Sequence, residues 1–185
     1  MQVGLRFNMI HILNADAMQR SLSRMAHEIV EQNERLDKLV LIGLQTRGVF
    51  LARRLAKQIH GSTGREIPTG VIDISMYRDD LNLRGTPPIV KSTEIPFALD
   101  GKTVMLVDDV FFTGRTIRAA MDALNDFGRP QRIQLAVLID RGHRELPVRP
   151  DYTGKNVPTS RHEHIRVRMQ EEDGVDEVTL TKKEP

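Results

Sequence analysis

A short apolar run that ends in two adjacent carboxylates constrains this chain more than any other feature. Val104-Met105-Leu106-Val107 reads as a buried strand, and it breaks into Asp108 and Asp109. A brief loop follows, Thr113-Gly114-Arg115-Thr116. Beyond it Ile117, Ala120, Met121, Leu124 and Phe127 recur at helical spacing until Gly128 and Pro130 close the helix. The order is therefore strand, acidic pair, hydroxyl-and-glycine loop, helix.

That order has a chemical use. In an open α/β sheet, ligands sit beyond the carboxyl ends of the strands. Backbone N–H groups at a helix start point outward and favour an anion. Thr113 and Thr116 add hydroxyl donors, Arg115 can add charge, and Gly114 lets the backbone come close. Such a loop suits a phosphate monoester. Carboxylates repel a phosphate, but they accept hydrogen bonds from sugar hydroxyls and help to organise Mg²⁺. A ligand with a ribose in the middle and a phosphate at one end fits both halves. Two acids at the end of a strand also occur in phosphoacceptor domains, nucleotide hydrolases and plain surface turns, so the acidic pair alone decides nothing.

A second strand–loop–helix arrangement precedes it. Leu39 to Leu44 reads as a buried strand and runs into Gln45-Thr46-Arg47-Gly48, followed by a helix with Leu51, Leu55 and Ile59 on one side. Arg47 can hold a second anion and Gly48 can let the backbone turn beneath it, although an ordinary turn between strand and helix reads the same way. Gly61 to Gly70 is a turn-rich connection. Val71 to Met76 alternates like a third strand, and Tyr77-Arg78-Asp79-Asp80 opens an aperiodic stretch reaching about Lys91. Segments of that kind supply catalytic lids, or simple loop excursions. Ile133 to Ile139 is another buried strand, delivering Asp140-Arg141-Gly142-His143-Arg144. Asp151 to Ser160 carries Tyr152 among turn residues. Arg161 to Met169 and Val175 to Leu180 alternate like two final strands, with Asp173-Gly174 as the hairpin turn and Thr181 to Pro185 as a frayed end.

At the other end, Phe7 to Leu13 can form an edge strand, and Asn14 or Asp16 can cap a helix over Ala17 to Gln32. Met18, Leu22, Met25 and Ile29 form its apolar stripe. Arg20, Arg24 and His27 fall together on the opposite side, either as a solvated face, which Glu31 dilutes, or as a binding face.

Composition bounds the rest. The chain has 185 residues, enough for one domain (1–185) with a core that folds unaided. There is no Cys, which removes disulfides and thiolate chemistry. No apolar run approaches the roughly 18 residues of a membrane span, and no signal-peptide core follows Met1, so a cytoplasmic protein is expected. A net charge of +2 does not itself mark a nucleic-acid binder; a basic surface must come from clustering.

Val104 to Thr116, VMLVDDVFFTGRT, resembles the ribose-phosphate signature of the type I phosphoribosyltransferases, which bind phosphoribosyl pyrophosphate (PRPP) with this segment. The resemblance extends from about Ala15 to Ser160. HEIVEQN, QTRG, ISMYRDDL, VDDVFFTGRT and DRGHRELPVRPDYTGKNVPTS, in that order, are similar to the pyrimidine operon attenuation regulators that are also uracil phosphoribosyltransferases. The narrower signals are RDDL and DRGHRELP with GKNVPTS.

The resemblance implies an α/β fold of type I phosphoribosyltransferase form. It has a mostly parallel central sheet flanked by helices, a small hood and a flexible lid loop. It implies that uracil and PRPP, with Mg²⁺ carried on PRPP and no metal ligand assigned directly, give UMP and pyrophosphate. Asp108 and Asp109 hold the ribose 2- and 3-hydroxyls, Asp109 being the better placed to act on developing charge. Thr113, Gly114, Arg115 and Thr116 wrap the 5-phosphate, with Val110 and Phe112 alongside. Thr46, Arg47 and Gly48 take pyrophosphate, Arg47 counting with the acid pair as catalytic. Tyr77, Arg78, Asp79 and Asp80 belong to the lid, and main-chain groups near Asp140 and Arg141 read the base. The implied partners are PRPP, uracil, UMP or UTP, and the pyr operon leader mRNA. The RNA would be met by a basic face of a homodimer or dimer of dimers, from Arg20, Arg24, His27, His143, Arg144 and Arg149. No membrane and no DNA are expected. Two residues depart from the pattern: Phe112 stands where Tyr is common, which points to packing, and Gln19 stands where a second basic residue is common. The alternatives are an RNA-binding regulator whose nucleotide site serves mainly as a sensor, and a salvage enzyme for another base such as hypoxanthine.

Overall fold

Five strands, all parallel, form the central sheet of the computed structural model, which describes residues 7–75 and 92–183. In chain order the elements are β1 (Phe7–Leu13), α1 (Ala15–Gln32), β2 (Leu39–Leu44), α2 (Arg47–Thr63), β3 (Thr69–Ile72), β4 (Thr103–Phe111), α3 (Arg115–Leu124), β5 (Arg132–Asp140), β6 (Tyr152–Asn156), β7 (His164–Arg168), α4 (Gln170–Asp173) and β8 (Glu177–Lys183). The large sheet runs β3-β2-β4-β5-β6. A separate antiparallel sheet, β1-β8-β7, is the small hood that the sequence led us to expect.

The central strands are apolar on both faces because both faces are covered. Leu39, Leu41, Met105, Val107 and Leu138 pack with Met18, Leu22, Met25 and Ile29 of α1 and with Leu51, Leu55 and Ile59 of α2. The alternate residues Val40, Ile42, Leu106, Leu135 and Val137 meet Ile117, Ala120 and Leu124 of α3. The α1 stripe is fully buried, each side chain contributing about 1.5–3 kcal/mol by its removal from water. Asn14 caps α1, its side chain accepting the Ala17 N–H at 2.9 Å.

Chain order and strand order part company between β2 and β4. The connection from β2 through α2 leads to β3 on one side, whereas α3 carries β4 to β5 on the other. The carboxyl ends of β2 and β4 therefore flank a crevice at the switch point, where ligands bind in such sheets.

Five expectations need correction. The strand expected over Val71 to Met76 ends at Ile72. There Asp73 leaves the ladder, its N–H bonding Thr93 Oγ1 and its carboxylate accepting both the N–H and the hydroxyl of Ser75. β4 does not break at the acidic pair but continues to Phe111, since Asp108, Val110 and Phe111 still pair with β5. The turn-like stretch after Tyr152 contains β6. Gly154 conceals it in the sequence yet permits it in space, because a Cβ there would lie 2.6 Å from the Leu138 carbonyl oxygen. Finally, the segment between β7 and β8 is a helical turn, α4, closed by left-handed Gly174, and Thr181 to Lys183 continue β8 opposite Phe7 to Met9 rather than fraying.

Gly154→Ala is accordingly expected to lower stability by about 1–3 kcal/mol in urea unfolding, since the added methyl meets main chain on the neighbouring strand. A midpoint unchanged from wild type would mean that β6 can move outward without penalty.

Candidate active site

The acid pair sits at the carboxyl end of β4, inside the switch-point crevice. Asp108 is buried and Asp109 half-buried. Each folds back on the backbone: Asp108 Oδ1 accepts the Asp109 N–H and Asp109 Oδ1 accepts the Val110 N–H, both at 2.9 Å. Burial pushes the Asp109 carboxyl above the ordinary carboxylate range. The Asp108 side chain, the Val110 N–H and the positive charge of Arg47 pull the other way without cancelling it.

The loop after β4 then delivers the start of a helix. Gly114, the N-cap residue of α3, is left-handed (φ 92°) and makes no side-chain cap bond. The N–H groups of the first turn of α3 lack intrahelical acceptors. The Thr113 hydroxyl approaches the Arg115 N–H at 3.4 Å, and the Thr113 carbonyl accepts the Glu145 N–H at 3.0 Å, tying the loop to the segment after β5. The Arg115 guanidinium turns to Glu145 (3.1 Å), so its contribution to an anion here is its backbone position rather than its charge.

Across the crevice, Arg47 and Gly48 open α2. A Cβ on Gly48 would lie 2.3 Å from the Val107 carbonyl oxygen and 3.3 Å from Asp108 Cα. Only glycine lets the first turn of α2 rest against the end of β4, and this places the Thr46-Arg47-Gly48 loop beside the acids. The peptide between Gln45 and Thr46 is cis. Arg47 does not point freely into the crevice: its guanidinium is bound to Asp173 at 2.9 Å. No pattern in the sequence links those two residues, which lie 126 positions apart.

Beyond β5, Asp140 and Arg141 are both buried, and their side chains are occupied. Asp140 accepts the Gly142 N–H at 2.9 Å and an Arg144 N–H at 2.7 Å. Arg141 donates to Thr159 Oγ1 and to the carbonyls of Ser160 and Glu163, and its guanidinium lies 4.1 Å from the centre of the Phe112 ring. Phe112 therefore has the packing role expected of it. His143 adopts a left-handed conformation (φ 63°) and its ring bonds the Thr159 carbonyl. Together Asp140, Arg141, His143, Arg144, Asn156 and Thr159 border an open cleft of about 350 Å³. Thr159 and Ser160 thus act as supports; their place in the GKNVPTS run was the available signal.

The cations expected to form a basic face include Arg20, Arg24 and His27, which are exposed on α1, and some of the set are committed to other partners. Arg24 also bonds Glu28 (2.6 Å) and the carbonyls of Thr153 and Gly154, so it joins α1 to β6. His27 and Gln19 border a wide cleft of about 730 Å³ that α2 lines with Arg53 and Lys57, two cations the helical pattern did not single out. Arg144 pairs with Asp140, and Arg149 is exposed. The lid residues Tyr77, Arg78, Asp79 and Asp80 lie outside the described residues. Among the described residues no helix is long and apolar enough to cross a membrane.

The phosphoribosyl transferase domain family matches residues 10–172 of the chain. The Bifunctional protein PyrR of Pelotomaculum thermopropionicum is 58% identical over 169 residues, covering 91% of this chain and 93% of that protein. That of Thermus aquaticus is 57% identical over 173 residues, covering 94% and 96%. The chain belongs to the PyrR family of phosphoribosyltransferases. Solved structures extend the likeness in fold alone. A hypoxanthine phosphoribosyltransferase of Trypanosoma cruzi superimposes with a TM-score of 0.71 at 16% identity, over 94% of this chain and 97% of that one. A hypoxanthine-guanine phosphoribosyltransferase of Bacillus anthracis gives 0.65 at 19%, over 83% and 85%. The acid pair and the start of α3 both lie within the residues that the phosphoribosyl transferase domain family matches.

Proposed function

We propose that the chain transfers the phosphoribosyl group of PRPP to uracil, giving UMP and pyrophosphate. We further propose that with a uridine nucleotide bound it grips the leader RNA of pyrimidine biosynthesis genes. The observation that carries the enzymatic half is the left-handed Gly114 at the start of α3, set after the buried Asp108 and half-buried Asp109. The two activities accord with the word "bifunctional" in the relatives' name.

In this reading the α3 start and the hydroxyls of Thr113 and Thr116 hold the 5-phosphate, with Val110 and Phe112 shaping the loop. Asp108 and Asp109 anchor the ribose hydroxyls. Thr46, Arg47 and Gly48 face the pyrophosphate. The bond from ribose C1 to the pyrophosphate oxygen breaks as a bond from C1 to a uracil nitrogen forms, and that nitrogen gives up its proton. Positive charge develops on the ribose ring, so the Asp109 carboxylate stabilises the transition state more than the ground state. Most of the remaining acceleration is positioning. Charge on the leaving group would be neutralised by Mg²⁺ carried on PRPP. The site suits such an ion, which binds through one or two carboxylates plus substrate oxygens and needs no cage of protein ligands. With the Asp140 and Arg141 side chains occupied, main-chain groups around them are left to read the base. A homodimer or dimer of dimers, working in the cytoplasm, completes the proposal.

For RNA, His27 of α1 borders the same cleft as Arg53 and Lys57 of α2, and Arg20 and Arg149 are further exposed cations. Folded RNA is met through such phosphate contacts and through splayed bases. Two measurements test the pair of activities. Uracil with saturating PRPP and Mg²⁺ should yield UMP; no turnover on uracil, with turnover on hypoxanthine, would move the enzyme to another base. A leader stem-loop should bind more tightly than a scrambled hairpin, more tightly again with UMP, and more weakly as salt rises. Arg20→Ala and Arg149→Ala should each weaken RNA binding severalfold with uracil turnover intact. Arg24→Ala is a poorer probe because it also releases β6. Equal weak binding to both RNAs would leave the enzyme alone.

A further inference from the structure

Two arginines on one side of α2, Arg47 and Arg54, are both held by the short turn between β7 and β8. Arg54 bonds Glu171 at 2.9 and 2.6 Å and Asp176 at 2.8 Å through each of two nitrogens. Arg47 bonds Asp173: Nη2 reaches Oδ1 at 2.9 Å and Oδ2 at 3.1 Å, and Nε reaches Oδ2 at 3.2 Å. Asp173 is itself fixed. Its Oδ2 accepts the Met169 N–H at 2.9 Å and its own N–H bonds the Met169 carbonyl at 2.7 Å, while Met169 is wholly buried. The hood thus reaches back and holds Arg47, the first residue of α2.

After Asp173, the carboxylates whose charge acts on Arg47 are Asp109 and then Glu172, which is exposed in the same turn as Asp173. Asp109 is half-buried at the end of β4, where an ionised group gains most from a partner. A guanidinium and a carboxylate form a strong paired bond when nothing else engages them. Without Asp173 the Arg47 guanidinium would be free to turn toward either Asp109 or Glu172, and against Asp109 each would neutralise the other where the substrate needs them apart. The bonds to Asp173 use Nε and Nη2, and Nη1 is the remaining edge.

We propose that Asp173 is a positioning residue: it holds the Arg47 guanidinium away from Asp109 with its Nη1 edge presented to the pyrophosphate group of PRPP. This rests on the phosphoribosyl-transfer reading above. Asp173 touches no reacting atom. It works through Arg47, and its effect belongs to ligands that carry pyrophosphate.

The test uses the full chain and calorimetric binding of three probes: PRPP with Mg²⁺, inorganic pyrophosphate with Mg²⁺, and UMP. Asp173→Asn keeps the shape and removes the charge. Affinity for PRPP and pyrophosphate should fall about tenfold, a change of about 1.4 kcal/mol, with UMP affinity within twofold of wild type. Asp173→Glu should recover part of the loss. In an Arg47→Ala background Asp173→Asn should change nothing further, which is the signature of action through Arg47. Glu171→Gln, in the same turn but bonded to Arg54, should leave PRPP affinity unchanged. The proposal is overturned if all three ligands weaken together, if PRPP affinity does not move, or if the effect persists without Arg47. Wild-type protein that binds neither PRPP nor pyrophosphate would overturn the phosphoribosyl reading itself, and this inference with it. Normal wild-type binding with an unaffected Asp173→Asn would overturn this inference alone.

Discussion

Gly48→Ala should lower kcat/KM for PRPP by about a hundredfold while the chain still folds. The reason is the space available. The added methyl would lie 2.3 Å from the Val107 carbonyl oxygen and 3.2 Å from the carbonyl carbon, both main-chain atoms in the middle of the sheet. Val107 is buried and paired on both sides, to β2 and to β5, so β4 cannot give way. The first turn of α2 must move instead, carrying Arg47 and Thr46 away from Asp108. Overpacking of this kind costs about 1–3 kcal/mol of stability, which a protein of this size tolerates. Catalysis is less forgiving, because a displacement of about 1 Å in a positioned group is enough for a hundredfold loss. Circular dichroism and thermal unfolding would establish that the variant folds, and steady-state kinetics with PRPP varied would read the effect. Activity within threefold of wild type would mean that the loop can be displaced without consequence, and that the close packing of Gly48 is architectural only.

The parts of this site that sequence made legible are those built from contiguous residues. β4, Asp108, Asp109, the Gly114 loop and α3 follow one another within a single stretch, so hydrophobic spacing and turn chemistry expose the whole arrangement. The same holds for β2, the Gln45 to Gly48 loop and α2. What escaped depends on residues that meet only after folding. Asp173 reads as half of a hairpin turn, and nothing in its neighbourhood announces Arg47. β6 is disguised by Gly154 and Asn156, whose ordinary meaning is a turn; it becomes a strand because β5 offers a ladder edge from Ala136 to Asp140. Asp140 was singled out by its place at the end of a strand, yet its carboxylate, at the border of the cleft, is already bound to Gly142 and Arg144. Position at a strand end locates a site, but only the hydrogen-bond partners assign each group its part.

Asp109→Asn should separate the demands of catalysis from those of stability. Burial raises the Asp109 carboxyl above its ordinary range, so the folded state binds a proton more readily than the unfolded chain does. Between the unfolded value, near 3.9, and the raised folded value, the folded protein carries the extra proton, and stability falls as pH rises through that window. Above the window the ionised carboxylate is a standing cost. Asparagine removes that charge while its side-chain oxygen can still accept the Val110 N–H. Thermal unfolding at neutral pH should therefore show Asp109→Asn more stable than wild type, with the difference shrinking as pH falls below the folded value. Turnover should move in the opposite direction, by about 10²–10³-fold in kcat, the size of effect seen when one preorganised electrostatic contact to a developing charge is lost. Wild-type kcat should fall on the acid side at a higher pH than an unperturbed carboxylate would give, and that limb should be absent in the variant. Asp108→Asn provides the contrast: if Asp108 is a ribose anchor, its loss should appear mainly in KM for PRPP. A variant at Asp109 that loses activity without gaining stability would show that the crevice already accommodates the charge. The strain assigned to burial would then be relieved by Arg47, which leaves the Asp173 contact as the feature that governs how far the arginine is shared between its two carboxylates.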